Sequence, residues 1–274
     1  WGEGAHSLTC SLVHALIALA LCASLSGGVR AADFTFGALG DTPYTWFEET
    51  HFPDLLAGMS QEDLAFVVHV GDFKSARAPC SDELFRQRRK WFDSVRHPFV
   101  FVPGDNEWTD CRGFQAGGYD PLERLARLRE LFSGGEESLG RRRIRLARQS
   151  PDYPEHARWR YGDVLFVTLN VPGHDNNARR MPEEFRRRSA AVGEWLEQSF
   201  NLARGDRLRA VVIFMQANPW FSPTGRYFGY RELLAMMAKE TLGFDGEVLL
   251  VHGDTHRFRV DSPLHDPATG ALVA

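Results

Sequence analysis

Four apolar runs in this chain end on the same dipeptide: Gly40-Asp41 after "FTFGAL", Gly71-Asp72 after "LAFVVHV", Gly104-Asp105 after "FVFVP" and Gly253-Asp254 after "VLLVH". A single such pair is ordinary turn chemistry, but four at the ends of apolar strands raise the question of what the carboxylates converge on. Carboxylates that converge raise one another's pKa unless something positive lies between them. A divalent cation removes that repulsion, with oxygen and imidazole donors as its usual ligands. Gly253-Asp254 runs on to His256, which adds an imidazole. Two other pairs, Gly162-Asp163 and Gly205-Asp206, precede apolar runs. They read as plain turns and serve as internal controls.

The elements that must position these groups alternate along the chain. Strands are expected at "DFTFGAL", "DLAFVVHV", "HPFVFVP", "ARWRYG", "VLFVTLNV", "LRAVVIFMQ" and "EVLLVHG", with a last one, "RFRVDSPL", antiparallel to its predecessor. Helices are expected at "FPDLLAGMSQ", "SDELFRQRRKWFDSV", "DPLERLARLRELF", "MPEEFRRRSAAVGEWLEQSF" and "YRELLAMMAKE". Near-continuous apolar strands alternating with helices predict an α/β fold with a largely parallel, doubly covered sheet. Ligands in such folds collect at the C-terminal strand ends, where all four Gly-Asp pairs sit. The loop "LNVPGHDNN" follows a strand and brings His174, Asp175, Asn176 and Asn177 to the same edge. His69, inside an apolar strand, reads as a satisfied core histidine.

The 274 residues suit one sizeable domain, and a 43% hydrophobic, 25% charged composition excludes disorder. A net charge of −4 gives no electrostatic argument for nucleic acid or an anionic membrane. The Arg run "GRRRIRLARQ", 140–149, reads as a solvated face in a chain whose basic residues are nearly all Arg.

Residues 1–31 read as a signal peptide: "SLVHALIALALCASLSGG" is apolar and uncharged, and Val29-x-Ala31 gives a cleavage pattern. Residues 32–274 then form a single domain, one whose end just after a strand suggests truncation, with a secreted or periplasmic location and no membrane span after signal removal. Export would leave Cys80 and Cys111, eight and six residues past the second and third Gly-Asp pairs. In an oxidising compartment they are expected to pair, two free buried thiols being the alternative.

The ordered set resembles the calcineurin-like metallophosphoesterases, whose blocks read Asp-x-His, Gly-Asp, Gly-Asn-His-Asp/Glu, a lone His and Gly-His-x-His. The resemblance spans residues 36 to about 258. It implies a metallophosphoesterase-like β-sandwich flanked by helices (αββα), with the metal site at the C-terminal strand ends. Position by position, Asp41 matches the first block while Pro43 replaces its His. Asp72 matches the second block, where the family's carboxylate bridges two metals. Asp105 takes the metal-binding position of the third, and Asn106 replaces the His that contacts phosphate. Gln216 stands for the lone His, with Asn218 as a near alternative. Asp254 replaces the first His of the last block and His256 keeps the second.

The implied metal ligands are therefore Asp41, Asp72, Asp105, Gln216, Asp254 and His256. Asn106 and Asp72 are the implied catalytic residues; Asn218, His174, Asn176 and Glu107 are expected beside substrate or behind the ligands. The shift from imidazole to oxygen donors favours one or two ions of Mn²⁺, Mg²⁺ or Ca²⁺ over Zn²⁺ or Fe. The implied function is metal-dependent hydrolysis of a phosphorylated small molecule. The alternative is a non-catalytic protein that binds a divalent cation or a phospho-ligand on the same fold. Oligomeric state is not legible.

Overall fold

The computed structural model describes residues 33–221 and 228–273. The expected signal peptide and its cleavage site lie outside the described residues. Over these residues the fold is mixed α/β with two sheets and six helices. The first sheet is parallel throughout, in the order β1 (Gly37–Leu39), β2 (Val67–His69), β3 (Phe99–Phe101). The second contains β4 (Ala147–Arg148), β5 (Ala157–Tyr161), β6 (Val164–Thr168), β7 (Ala210–Phe214) and β8 (Glu247–Val251) in that order. Its β4–β5 and β5–β6 pairings are antiparallel, and β6–β7 and β7–β8 are parallel. The single, largely parallel sheet expected from strand alternation is thus two sheets. The β5–β6 hairpin breaks the parallel run, because its Gly162-Asp163 connection is too short for a crossover.

Strand side chains alternate between two environments, as the pleat requires. Val67, Phe99 and Phe101 pack with Phe52, Phe85, Phe92 and Leu125, which come from helices α1 (Trp46–Met59), α2 (Asp82–Ser94) and α3 (Pro121–Ser133). Leu165, Val167, Val211 and Ile213 pack with Trp195, Phe200, Leu233 and Met237. Those partners come from α5 (Pro182–Gly205) and α6 (Arg231–Leu242), which follow a single turn, α4 (Gly173–Asn176). The opposite strand faces share a third core, in which Phe66, Val68, Val100 and Val102 meet Trp159, Phe166, Val212 and Phe214.

The helix starts obey their sequences. Asp120 caps α3 by accepting from the amides of Leu122 and Glu123 at 2.8 and 2.9 Å, with Pro121 in the first turn. Ser81 accepts from Leu84 N at 3.2 Å to start α2. Thr45 and Glu48 form a reciprocal capping box on α1. It also fixes Tyr44, whose amide donates to Glu48 Oε2 at 2.7 Å.

One expected strand is absent. "RFRVDSPL" has no strand pairing, and Phe258 and Val260 are 98% and 83% exposed. Its alternation of apolar and charged residues fits an edge strand, but alternation does not supply a partner. The control turns behave as turns: Asp163 pairs with Arg209 at 3.4 Å and Asp206 with Arg160 at 3.5 Å, all on the surface. In the Arg run, Arg145 pairs with Glu136 at 2.8 Å and is exposed. His69 is fully buried, with Nε2 3.0 Å from Thr42 O, and Gly71 N donates to Nδ1 at 3.2 Å. Burial pushes its pKa down to about 4, so it stays neutral. Cys80 and Cys111 form a disulfide with Cα atoms 5.7 Å apart. Closing its 31-residue separation stabilises by about 3–4 kcal/mol in the chain-entropy account. Among the described residues no helix is long and apolar enough to cross a membrane.

Candidate metal centre

The C-terminal ends of both sheets meet. Asp41, Asp72 and Asp105 leave β1, β2 and β3, while Gln216 and Asp254 follow β7 and β8. Backbone bonds stitch these ends together: Asp41 N donates to Gly71 O at 3.0 Å and Gly253 N to Gln216 O at 2.9 Å. The carboxylates form a ring. Asp254 N donates to both oxygens of Asp41, at 2.9 and 3.0 Å. Tyr44 OH lies between Asp41 Oδ1 at 3.4 Å and Asp72 Oδ2 at 3.0 Å. Gln216 Nε2 lies between Asp72 Oδ2 at 3.3 Å and Asp254 Oδ1 at 3.4 Å. Asp105 joins across Gly173, where a Cβ would stand 3.0 Å from both Asp105 Oδ2 and Asp254 Oδ1. Only glycine leaves that gap between the carboxylates open.

The backbone supports this convergence at a cost. Asp41, Asp72, Asp254 and His256 have φ of 54°, 60°, 78° and 52°, in the left-handed region. Asp tolerates it better than most residues, and such strain persists only where the surroundings fix it. Glu107 does the fixing at Asp72. It is fully buried and accepts from Asp72 N at 3.0 and 3.1 Å and from Gly104 N at 2.6 Å. Asn106 N donates to Asp72 Oδ1 at 3.1 Å.

The loop after β6 is more strained still. His174, Asp175, Asn176 and Asn177 all have positive φ, a left-handed turn that L-residues form rarely. The buried Arg188 holds it from behind, donating to Asn176 Oδ1 at 2.5 Å and to Asn176 O at 3.0 Å. Asp175 Oδ1 accepts from Gly229 N at 2.7 Å. The product of this arrangement is one aimed imidazole: His174 Nδ1 lies 2.7 Å from Asp105 Oδ2, and its Nε2 lies 3.9 Å from Asp110 Oδ2. One ligand atom from each of Asp105, Asp110 and His174 lies within 4.8 Å of the others.

Most of the residues singled out in the sequence gather here, each in a definite place. Asp41, Asp72, Asp105 and Asp254 share the ring. His256 sits at its rim, half-exposed, with Nε2 3.7 Å from Asp41 Oδ1. Gln216 turns its amide nitrogen to the carboxylates while its oxygen accepts from Gly173 N at 2.6 Å. Asn218 supports Asp254 through its backbone, N to Oδ2 at 3.2 Å. Asn106 directs its side chain to Lys74 O at 3.0 Å and Tyr44 OH at 3.3 Å. Asn176 is turned away, toward Arg188 and Gly229 O. Sequence reading missed Tyr44, Lys74 and Asp110. Each lies two to five residues past a strand-end Asp, a signal too weak to single them out.

Asp105, Asp110 and His174 are close enough together to hold a divalent cation, and the carboxylates beside them are crowded. Burial raises the pKa of Asp72 well above the carboxylate range, and repulsion from Asp105, Glu107 and Asp41 adds to it. Burial also raises Asp41, and raises Asp254 with repulsion from Asp105. Burial pushes Glu107 up to about 7. Lys74 is the one buried ammonium among these acids in the described residues, and burial pushes it down to about 8. A single ammonium does not balance five acids, and a divalent cation among them would offset two more of those charges.

The sign of the pH dependence follows. Carboxyls whose pKa is raised in the folded protein keep their protons to a higher pH than ordinary carboxylates, as burial makes Asp41, Asp72 and Asp254 do. A cation that needs them ionised must displace those protons. Mn²⁺ affinity is therefore expected to rise from pH 6 to pH 8, by up to about tenfold per pH unit for each proton displaced. Calorimetry in buffers of different ionisation enthalpy reads the proton release directly. A pH-independent affinity with no proton release would contradict this account of the ring.

The chain matches no protein-family model and no curated protein sequence. Among solved structures it is similar to a dimetal phosphatase from Danio rerio, at 14% identity and a TM-score of 0.47, over 81% of this chain and 82% of that one. A likeness of this size identifies neither activity nor substrate.

Proposed function

We propose that the protein is a metal-dependent phosphoesterase with an oxygen-rich metal centre. The observation that carries this is the ring of strand-end carboxylates, assembled from two sheets with Asp41, Asp72 and Asp254 on left-handed backbone, and mutually repulsive as it stands. The three cores support a helix–sheet–sheet–helix layering, which is the αββα order the motif resemblance implies. Asp41, Asp72, Asp105, Asp254 and His256 would hold the cation or cations, with Gln216 orienting Asp72 and Asp254. Oxygen donors favour Mn²⁺, Mg²⁺ or Ca²⁺. When bound, such a cation supplies Lewis acidity toward phosphoryl oxygen and water.

The chain's own residues supply the rest. In hydrolysis a water oxygen forms a bond to phosphorus as the bond to the alcohol oxygen breaks; the departing alkoxide takes up a proton from a side chain, and the proton that the water gives up restores that donor. Asn106 cannot give that proton. His174 can: its hydrogen bond to Asp105 raises its pKa, and it lines the cavity beside the ring. Tyr44 OH, against Asp72 and Asp41, holds the two carboxylates in register.

Purified protein loaded with Mn²⁺ is expected to hydrolyse 4-nitrophenyl phosphate and to lose that activity on chelation. His174→Gln should lower turnover by about 10²-fold or more on an ester with a poor leaving group, the usual size of a general-acid contribution. It should matter less on the nitrophenyl ester. Absence of metal-dependent turnover on any ester would leave the rival reading, a domain that holds a cation or phospho-ligand without chemistry. The position of Asn106, its amide spent on Lys74 O and Tyr44 OH, favours that rival. The Cys80–Cys111 bridge supports a location in an oxidising compartment.

A further inference from the structure

Beside the ring lies a cavity of about 460 Å³ whose walls come from three segments. Arg77 comes from the loop between β2 and α2, Arg112 and Phe114 from the loop after β3, and Arg180 from the stretch following the left-handed turn. His174 and Asp110 also line it, and the 2.7 Å contact of His174 with Asp105 joins the cavity to the ring. The walls are tied to one another. The Cys80–Cys111 disulfide links the first loop to the second, and Cys80 N donates to Ala116 O at 2.9 Å. Arg180 donates to Asp110 Oδ1 at 2.9 Å, tying the third to the second. The backbone of this open cleft is therefore fixed before any ligand arrives, with the Arg77 and Arg112 side chains exposed over it.

Its charge is opposite to that of the centre it adjoins. Asp110 offsets Arg180, which leaves Arg77 and Arg112 as the balance of positive charge facing the cavity, in a protein of net charge −4. Guanidinium groups match carboxylate and phosphate with paired hydrogen bonds. Phe114, 96% exposed at the same place, offers an apolar face. A bare phosphate bound at the ring would have no use for this second, cationic and partly apolar compartment.

We propose that this cavity is the leaving-group pocket of the carboxylate centre, and that it takes phosphate esters whose alcohol carries a second anionic group. The ester part of this inference rests on the hydrolase reading; the anion selectivity rests on the cavity itself. After water displaces the alcohol from phosphorus, the alcohol departs from this pocket with its own charge unchanged.

The test compares phenyl phosphate with 4-carboxyphenyl phosphate on the Mn²⁺-loaded protein. The carboxylate ester is expected to have a kcat/KM higher by about tenfold or more, the size of a charge-assisted contact. Arg77→Gln with Arg112→Gln should bring the ratio close to one, while Arg145→Gln on the ion-paired surface run should keep it. 4-Hydroxybenzoate should inhibit the wild type better than phenol does, which tests the pocket without any variant. Equal kcat/KM for the two esters, or a preference that survives in the double Arg variant, overturns the pocket while leaving hydrolysis intact. If neither ester is hydrolysed, the hydrolase reading fails and calorimetry with the same two esters decides the pocket. Tighter, Arg-dependent binding of the carboxylate ester upholds it, and equal binding overturns it.

Discussion

Asp72→Asn is expected to weaken Mn²⁺ binding by at least about 100-fold, beyond the 10–100-fold that removal of an outer-shell partner typically costs. Asp72 is the carboxylate on which the ring closes: Tyr44, Gln216 and Asn106 all bond to it. Asn keeps the size and most of the hydrogen bonds and removes the charge. The same substitution should leave the metal-free protein at least as stable as wild type. A pKa raised by burial and by Asp105, Glu107 and Asp41 means that ionised Asp72 destabilises the empty fold. Loss of function with no loss of stability separates a ligand from a structural residue. Asp206→Asn, at the Arg160-paired control turn, should change neither quantity. Unchanged Mn²⁺ affinity in Asp72→Asn, measured by calorimetry, would mean that the strand-end Gly-Asp pairs are turns.

Glu107→Ala should do the opposite and unfold the site. Glu107 is the buried acceptor for the amides of Asp72 and Gly104, the two turns that present Asp72 and Asp105. Leaving two buried N–H groups without an acceptor costs about 1–3 kcal/mol each. Relief of repulsion with Asp72 offsets part of this, since a group with a pKa of about 7 is only about half ionised at neutral pH. The net expected loss is about 2–4 kcal/mol in urea unfolding of the metal-free protein. Glu107→Gln keeps one oxygen that can accept from both amides, and should lose less than half of that. An alanine variant within about 0.5 kcal/mol of wild type, the scatter of ordinary surface changes, would show that Glu107 does not hold the turns.

These two residues also show what the sequence makes legible. Asp72 stands out because a buried run, a glycine and an acid in succession repeat at several strand ends, and strand ends in α/β folds share an edge. That reasoning carries Asp41, Asp105 and Asp254 into one ring, and with them the pairing of Cys80 and Cys111. Glu107 entered only as the last letter of a motif block. Its function lies in bonds to Asp72 N, 35 positions away in sequence, and to Gly104 N. Tyr44 and Lys74 were not visible for the same reason: a phenol or an ammonium acquires its meaning from what other strands bring to it.

Strand alternation alone did not reveal two sheets, which only the motif resemblance implied, because apolar alternation reports which face of a strand is buried and not which strand it pairs with. "RFRVDSPL" failed on the same point, with a strand's pattern and no strand beside it. The left-handed turn at His174–Asn177 could be suspected from its Asp and Asn content. That it aims His174 at Asp105 depends on Arg188, a residue 12 positions beyond Asn176 with no motif of its own.

The central claim is that the ring holds a divalent cation, and a titration of metal-free protein with Mn²⁺, followed by the EPR signal of the free ion, tests it most directly. The free-ion signal is expected to stay suppressed in wild type until one or two equivalents have been taken up, and to rise from the first addition in Asp72→Asn. A wild-type signal that rises linearly from the first addition, matching that of the variant, would contradict it.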